Sequence, residues 1–265
     1  MGVHFVYPAI PFMLGTVDGT FEAEADAIRE ARSGVSTISV EDLEQDSFKI
    51  RPIIPAGSTV VYRGWMLNAN TYATLEHGVQ HRDAKMLTDA DTYMHCHHLP
   101  NWYSSLEEFT PETKFFTLDA NLEHELEQLG WGEYFLKDHV KSLKTGMGSI
   151  IREPTLATAW LEEMIRTRGA LEGGICVRRV EALRPETERR YFVIQGQAFA
   201  PDGQVPDLVL EVVKRISSPF FSVDLIARED GVHRVIEIGD GQVSDLVGWE
   251  PQKFAQAWLA THTSG

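Results

Sequence analysis

The chain has 265 residues with 24 Lys and Arg against 39 Asp and Glu, for a formal net charge of −15. That length can bury a substantial core in one large domain or two modest ones, and the acidic balance argues against a protein that lives on nucleic acid or on an anionic membrane. No apolar run is long enough to span a membrane, the start MGVHFVYPAIPF lacks the features of a secretory signal, and Cys96 and Cys176 alone give no disulfide framework, so a reducing, cytoplasmic setting is expected.

Residues 1 to about 92 alternate strand-like and helix-like segments. HFVYPAI is followed by FEAEADAIREARSG, a predicted helix ending at Gly34, then by the β-branched VSTISV and EDLEQD. STVVYRGWML reads as a strand, a helix is predicted from just after Asn68 to near Gly78, and AKMLT follows. That order predicts a small α/β layer with a mostly parallel sheet. Neither GxGxxG after the first strand nor GxxxxGK[ST] anywhere is present, so the two usual phosphate-loop signatures are missing.

Arg63, in Tyr62-Arg63-Gly64-Trp65, closes a predicted strand, where ligand sites in open α/β sheets gather. It can face an anionic group of a substrate, or it can stack on Trp65 at the surface. His95-Cys96-His97-His98 has metal-binding residue types, but adjacent residues point in different directions on a helix and no second cluster has suitable spacing. His77 and His81 are four apart, yet Gly78 is expected to end their helix. The segment HHLPNWYSSLEEFTPETKFFTLD, with Pro100 and Pro111, reads as a connection, which puts the domain boundary near residue 105 and divides the chain into 1–105 and 106–265.

The second half carries a basic zone. Lys137, Lys141, Lys144, Arg152, Arg166, Arg168, Arg178, Arg179, Arg184, Arg189 and Arg190 fall within about a fifth of the chain, a pattern suited to a small polyanion such as a nucleoside triphosphate. EYFLKDHVKSLKTGMGSII runs from a strand into a loop whose backbone N–H groups at Gly146, Gly148 and Ser149 can fold over phosphates or form a surface turn. Lys137 and Lys141 are two strand repeats apart and share a side. EPTLATAWLEEMIRTRG is a helix with Pro154 in its first turn, a stripe of Leu156, Trp160 and Met164, and Gly169 as its stop. GGICVRRVEAL is a strand on which Arg178 and Arg179 point to opposite faces, and ERRYFVIQGQAFA is a strand reaching a turn near Gln195-Gly196.

Pro219 to Asp245 reads as a β-hairpin around Asp230-Gly231. A two-residue turn sets Glu229 opposite Val232, and counting from there sets Asp224 opposite Glu237. Phe221, Val223, Leu225, Ala227, Ile236 and Ile238 then form an apolar face, and Ser222, Asp224 and Glu237 share the other. Two carboxylates about 5 Å apart repel each other, so either a divalent cation lies between them or Arg228, Arg234 or a shifted register eases the pair. EPQKFAQAWLATHTSG, with Pro251 at its start and Phe254 one turn before Trp258, closes the chain as a packing helix.

In order, this half reads strand with Lys, glycine-rich loop, helix, strand ending in a basic hinge, Glu188-x-Arg190 strand, strand with Asp, turn, strand with Glu. The order, with the phrases FLKDHVKSLKTGMGS, EGGICVRRVEAL, ERRYFV, FFSVDLIA and VIEIGDGQVSDL, resembles the ATP-grasp superfamily and a small clade of it marked by paired lysines. The resemblance covers roughly residues 62 to 258. It implies an α+β protein: an ATP-grasp fold of two α+β subdomains, with ATP between them, preceded by a small α/β pre-ATP-grasp layer. An acid would be activated as an acyl-phosphate and attacked by an amine or similar nucleophile.

By the same resemblance Lys137 contacts the nucleotide, Lys141 a phosphate, and Gly146, Gly148 and Ser149 form the lid. Cys176, Arg178, Arg179 and Val180 form the adenine-side hinge, Arg190 steadies the transferred phosphate, and Asp224 and Glu237 hold Mg²⁺. Two departures stand out. Gly239 replaces an Asn common in the family, with Asp240 next to it as a substitute oxygen donor, and Arg178 stands where many members place an acid. The expected activity is an ATP-dependent carboxylate–amine ligase acting on small molecules, with a homodimer as the default assembly. A kinase and a non-catalytic nucleotide-binding module are the other readings.

Overall fold

The computed structural model describes residues 2–140, 142 and 146–262, the last by its backbone only. In chain order the elements are β1 (Val3–Ile10), β2 (Met13–Val17), α1 (Glu22–Glu30), β3 (Gly34–Ile38), α2 (Val40–Leu43), β4 (Ile50–Arg51), β5 (Thr59–Tyr62), α3 (Ala69–Gln80), β6 (Lys85–Met86), α4 (Ala90–His97), α5 (Leu99–Leu106), β7 (Thr113–Phe116), α6 (Leu122–Leu129), β8 (Tyr134–Asp138), β9 (Ile150–Ile151), α7 (Ala157–Arg168), β10 (Ile175–Arg179), β11 (Leu183–Ile194), β12 (Gln197–Phe199), α8 (Asp207–Arg215), β13 (Phe220–Arg228), β14 (His233–Asp240) and α9 (Pro251–His262). They divide into two compact units, one of Met1–Cys96, Arg189–Asp224 and Ile238–Gly265, the other of His97–Glu188 and Leu225–Glu237. No helix among the described residues is long and apolar enough to cross a membrane.

The first unit contains the expected mostly parallel sheet, in the order β4-β3-β1-β5-β6, with β2 folded back on β1. β1 pairs in parallel with β3 and β5, β5 pairs in parallel with β6, and β4 is antiparallel to β3. As in central parallel strands, β1 is buried on both faces. Phe5, Tyr7 and Val61 point to a core with Ile28, Phe254 and Trp258. Val6, Val60 and Tyr62, one residue out of phase, point to a second core with Tyr72, Leu75 and Val79. Trp258 meets the Phe5 and Phe220 rings edge-on at centroid distances of 5.2 and 4.8 Å, a geometry each pair prefers by roughly 1 kcal/mol beyond its burial.

Two glycines differ from their predicted use. α1 stops at Glu30, with Arg32 in a left-handed conformation, and Gly34 instead opens β3 where a Cβ would lie 2.3 Å from His4 Nδ1. Gly78 sits inside α3, which continues to Gln80, because Phe48 packs on its backbone and a Cβ would come within 2.1 Å of that ring. The start of α3 is as read: Asn68 accepts the Thr71 N–H at 2.9 Å.

The second unit is built on the antiparallel sheet β7-β10-β8-β9. Leu136, Ile175 and Val177 pack there with Leu122 and Leu126 of α6 and Trp160 and Met164 of α7. Leu156, expected in that stripe, lies exposed in a 3-10 turn before α7. Gly169 ends α7 with a positive φ, as read. The segment read as a connection contains α5, with Pro100 in its first turn.

The third sheet has the order β12-β11-β13-β14. Gln195 and Gly196 both have positive φ and link β11 to β12 as a two-residue turn, with Ile194 opposite Gln197. The β13–β14 turn corrects the prediction. Arg228 N–H donates to Val232 O at 2.8 Å, Gly231 N–H donates to Arg228 O at 2.9 Å, and Glu229 N–H goes instead to Ala182 O. Of Asp230 and Gly231 only the glycine has positive φ, so this is a three-residue turn with a glycine bulge, and Glu229 does not oppose Val232. The turn therefore does not by itself set Asp224 opposite Glu237. β13 is buried from Phe220 to Ala227, on both faces.

Candidate active site

In the second unit, β8 and β10 are registered with Lys137 opposite Cys176 and Phe135 opposite Arg178. Directly opposed side chains share a face, so Lys137, Cys176 and Arg178 stand on one side of the sheet while Leu136, Ile175 and Val177 enter the core on the other. Lys137 is buried, and its Nζ lies 3.8 Å from Glu237 Oε1. Burial pulls the Lys137 ammonium below its usual range and the Glu237 carboxylate opposes that shift. The Cys176 thiol is pushed up to about 12 by burial, which leaves it unreactive at neutral pH. Ser149 is buried, its carbonyl accepting the Leu136 N–H at 2.7 Å, and Gly148 has a φ of +68°. Gly146 is exposed, and Lys141 lies outside the described residues.

The hinge residues split as their alternation requires. Arg179 is exposed and 3.7 Å from Glu112, Val180 is half-buried, and Arg178 is buried. The Arg178 guanidinium donates to Ile236 O at 2.6 Å and to the hydroxyls of Thr113 and Thr110, and burial lowers its pKa to about 10. Arg178 thus ties β14 to β10 and the Thr110–Thr113 segment, a structural bond in place of the expected reading of nucleotide. Arg234 likewise turns to Glu181 and the carbonyls of Glu108 and Thr110, and Arg228 to Asp230; neither arginine is spent on Asp224 or Glu237 in the way the sequence suggested.

In the first unit, Arg190 and Asp224 form a two-toothed pair, with Nε to Oδ1 at 2.8 Å and Nη2 to Oδ2 at 2.6 Å. Nη1 also donates to Asp245 O at 3.0 Å, and the Arg190 carbonyl accepts from Trp249 Nε1. This pair was not foreseen. β11 and β13 are neighbours in the sheet, but a residue pair across them follows from register, which the sequence does not print.

Two expected site residues are occupied elsewhere. Arg63 is 2% exposed. It donates through Nε and Nη2 to both oxygens of Glu24, at 2.7 and 2.6 Å, and through Nη1 to Gly241 O and Ser244 O, above the Phe254 ring. It is a core tie of its unit, neither an anion receptor nor stacked on Trp65, which packs on Phe21. Asp240 is sealed from solvent and caps the turn that follows β14, its Oδ1 accepting from Gln242 N and Nε2. Oδ2 has no hydrogen-bond partner, and burial raises its pKa to about 7. A carboxyl enclosed in this way corrects its reading as a metal ligand.

Among the described residues no group of three or more His, Cys, Asp or Glu side chains is gathered to hold a metal ion, His95, Cys96, His97 and His98 included. His98 instead pairs with Glu172 at 3.1 Å. The carboxylate oxygens of Asp224 and Glu237 are the hard donors that Mg²⁺ takes, and a cation held by one or two carboxylates together with phosphate oxygens needs no larger protein cage. The donor chemistry fits.

Residues 128–258 match the model of an ATP-grasp domain family, the third of its clade. No curated protein matches the chain in sequence. Among solved structures, D-cycloserine synthetase DcsG is similar over 99% of both chains at 14% identity and a TM-score of 0.62. ATP-grasp ligase PsnB, complexed with minimal precursor, Mg and ADP, is similar over 98% of both chains at 12% identity and a TM-score of 0.62. Macrocyclase MdnC from Microcystis aeruginosa MRC, bound with precursor peptide MdnA, is similar over 98% of this chain and 100% of its own at 12% identity and a TM-score of 0.62. The match over 128–258 and the fold shared along the whole chain place the protein in the ATP-grasp superfamily.

Proposed function

We propose that the chain is an ATP-dependent ligase that joins a carboxylate to an amine through an acyl-phosphate, with residues 1–105 as the pre-ATP-grasp layer and 106–265 as the ATP-grasp domain. The observation that carries this reading is that the segment matching the ATP-grasp domain is the one bearing Lys137, Arg190, Asp224 and Glu237. The substrate carboxylate takes the γ-phosphoryl group and releases ADP; the amine then adds to the acyl carbon and phosphate leaves. Such chemistry needs positioning and cationic stabilisation of the phosphates, with water excluded. Lys137 serves the nucleotide, Lys141 a phosphate, Arg190 the transferred group, and the Gly146–Ser149 segment covers the phosphates. Mg²⁺, held by Asp224 and Glu237, supplies neutralisation of phosphate charge.

The Mg and ADP in the similar PsnB structure support this cofactor pair. The precursor and precursor peptide in the PsnB and MdnC complexes favour a peptide acid or amine as a second substrate class beside small molecules. A screen of acids paired with amines and peptides, read by ADP release and product mass, tests the proposal. ADP and phosphate released only when both partners are present supports it, and a stable phosphorylated product without amine supports a kinase in its place. Lys141→Ala should weaken ATP binding by roughly tenfold or more in calorimetry, as loss of a charged phosphate contact does; unchanged binding refutes its role.

A further inference from the structure

The two carboxylates assigned to the metal are each already paired, inside their own unit, with a cation assigned to phosphate. Asp224 gives both oxygens to Arg190 at 2.8 and 2.6 Å, and Glu237 lies 3.8 Å from Lys137. The two pairs are not equal. Arg190 and Asp224 are 14% and 7% exposed, whereas Glu237 is 44% exposed, so the first pair is the tighter and the less screened.

Resting on the ligase reading, we propose that Arg190 and a divalent cation compete for the Asp224 carboxylate: the resting protein keeps this ligand closed, and a phosphate that draws the guanidinium away opens it. A forked guanidinium on both oxygens leaves a cation only lone pairs beside a fixed positive charge, in surroundings that screen the repulsion poorly. Once Arg190 turns to a phosphate, the same carboxylate gains a free negative charge. Metal and nucleotide then promote each other's binding, and the coupling is reciprocal. The looser Lys137–Glu237 pair repeats the arrangement on the other unit.

Mn²⁺ binding to the full chain without nucleotide, followed by electron paramagnetic resonance, tests this. Arg190→Met should bind Mn²⁺ at least about tenfold more tightly than the wild type, and Arg190→Lys, which keeps the charge but not the fork, should show a smaller gain. The Arg190→Met gain should vanish when Asp224→Asn is added. Equal affinity in wild type and Arg190→Met, or a gain that survives Asp224→Asn, overturns the competition. If Arg190→Met does not fold, Arg190→Lys decides alone: tighter binding than wild type supports the competition, and no gain overturns it. Amine-dependent ADP release by the wild type is measured in parallel. Turnover without a Mn²⁺ gain rejects the competition and leaves the ligase reading standing; a Mn²⁺ gain with no turnover on any pair supports the competition and counts against that reading.

Discussion

Arg63 and Arg190 make the same fork-to-carboxylate contact and serve different ends. Arg63 and Glu24 lie in the aromatic core of their unit, so removing one partner leaves a buried charge. Arg63→Met should cost about 3–5 kcal/mol in urea unfolding, and Glu24→Gln in the same chain should recover part of it. For the site, Asp224→Asn and Glu237→Gln should abolish turnover while circular dichroism and melting stay near wild type; Mg²⁺-dependent activity retained in both contradicts their assignment. Asp240 offers a pH test. Its folded pKa, raised to about 7 by burial, exceeds its ordinary 3.8, so between those values the folded state holds the proton more strongly and stability falls as pH rises. Asp240→Asn removes this contribution, and its melting temperature relative to wild type should rise from pH 4 to pH 8. The residue types of the site were legible in the chain, but Arg63–Glu24 and Arg190–Asp224, 39 and 34 positions apart, were not, because such pairs follow from which strands become neighbours.

Among the strands, helices and turns, glycine was the most ambiguous letter. Asp230-Gly231 marked a turn, as read, but left-handed φ at Gly231 alone selects the three-residue form, and a one-residue difference re-registers everything counted from it. Gly231→Ala should cost roughly 1 kcal/mol through that φ. Gly78 and Gly34 looked like helix stops and are close-approach positions, since a missing side chain serves either purpose. Gly78→Ala should cost about 1–3 kcal/mol by forcing Phe48 aside, measured by urea unfolding. Strand alternation was the reliable signal: it split Arg178 from Arg179, and helical spacing placed Trp160 and Met164 in the core.

Across the chain as a whole, the order of strands and helices was enough for the parallel N-terminal sheet and, with the resemblance, for the ATP-grasp fold. Helices α5, α6 and α8 went unread, α5 because two prolines nearby suggested a linker and α8 because its short apolar runs resemble a strand; α6 is marked by the Asn121 cap and Gly130. The C-terminal helix matters beyond its own length, since Trp258 closes the aromatic core against Phe5 and Phe220. Trp258→Ala should lower stability by about 3–5 kcal/mol. Activation of the acid as an acyl-phosphate leaves a mark on the atoms themselves, because the phosphate departs with an oxygen that began in the carboxylate. An acid with both carboxylate oxygens labelled with ¹⁸O, supplied with ATP and the amine found in the screen, should give one ¹⁸O in each inorganic phosphate released and one retained in the amide product; phosphate released with no label would contradict the acyl-phosphate.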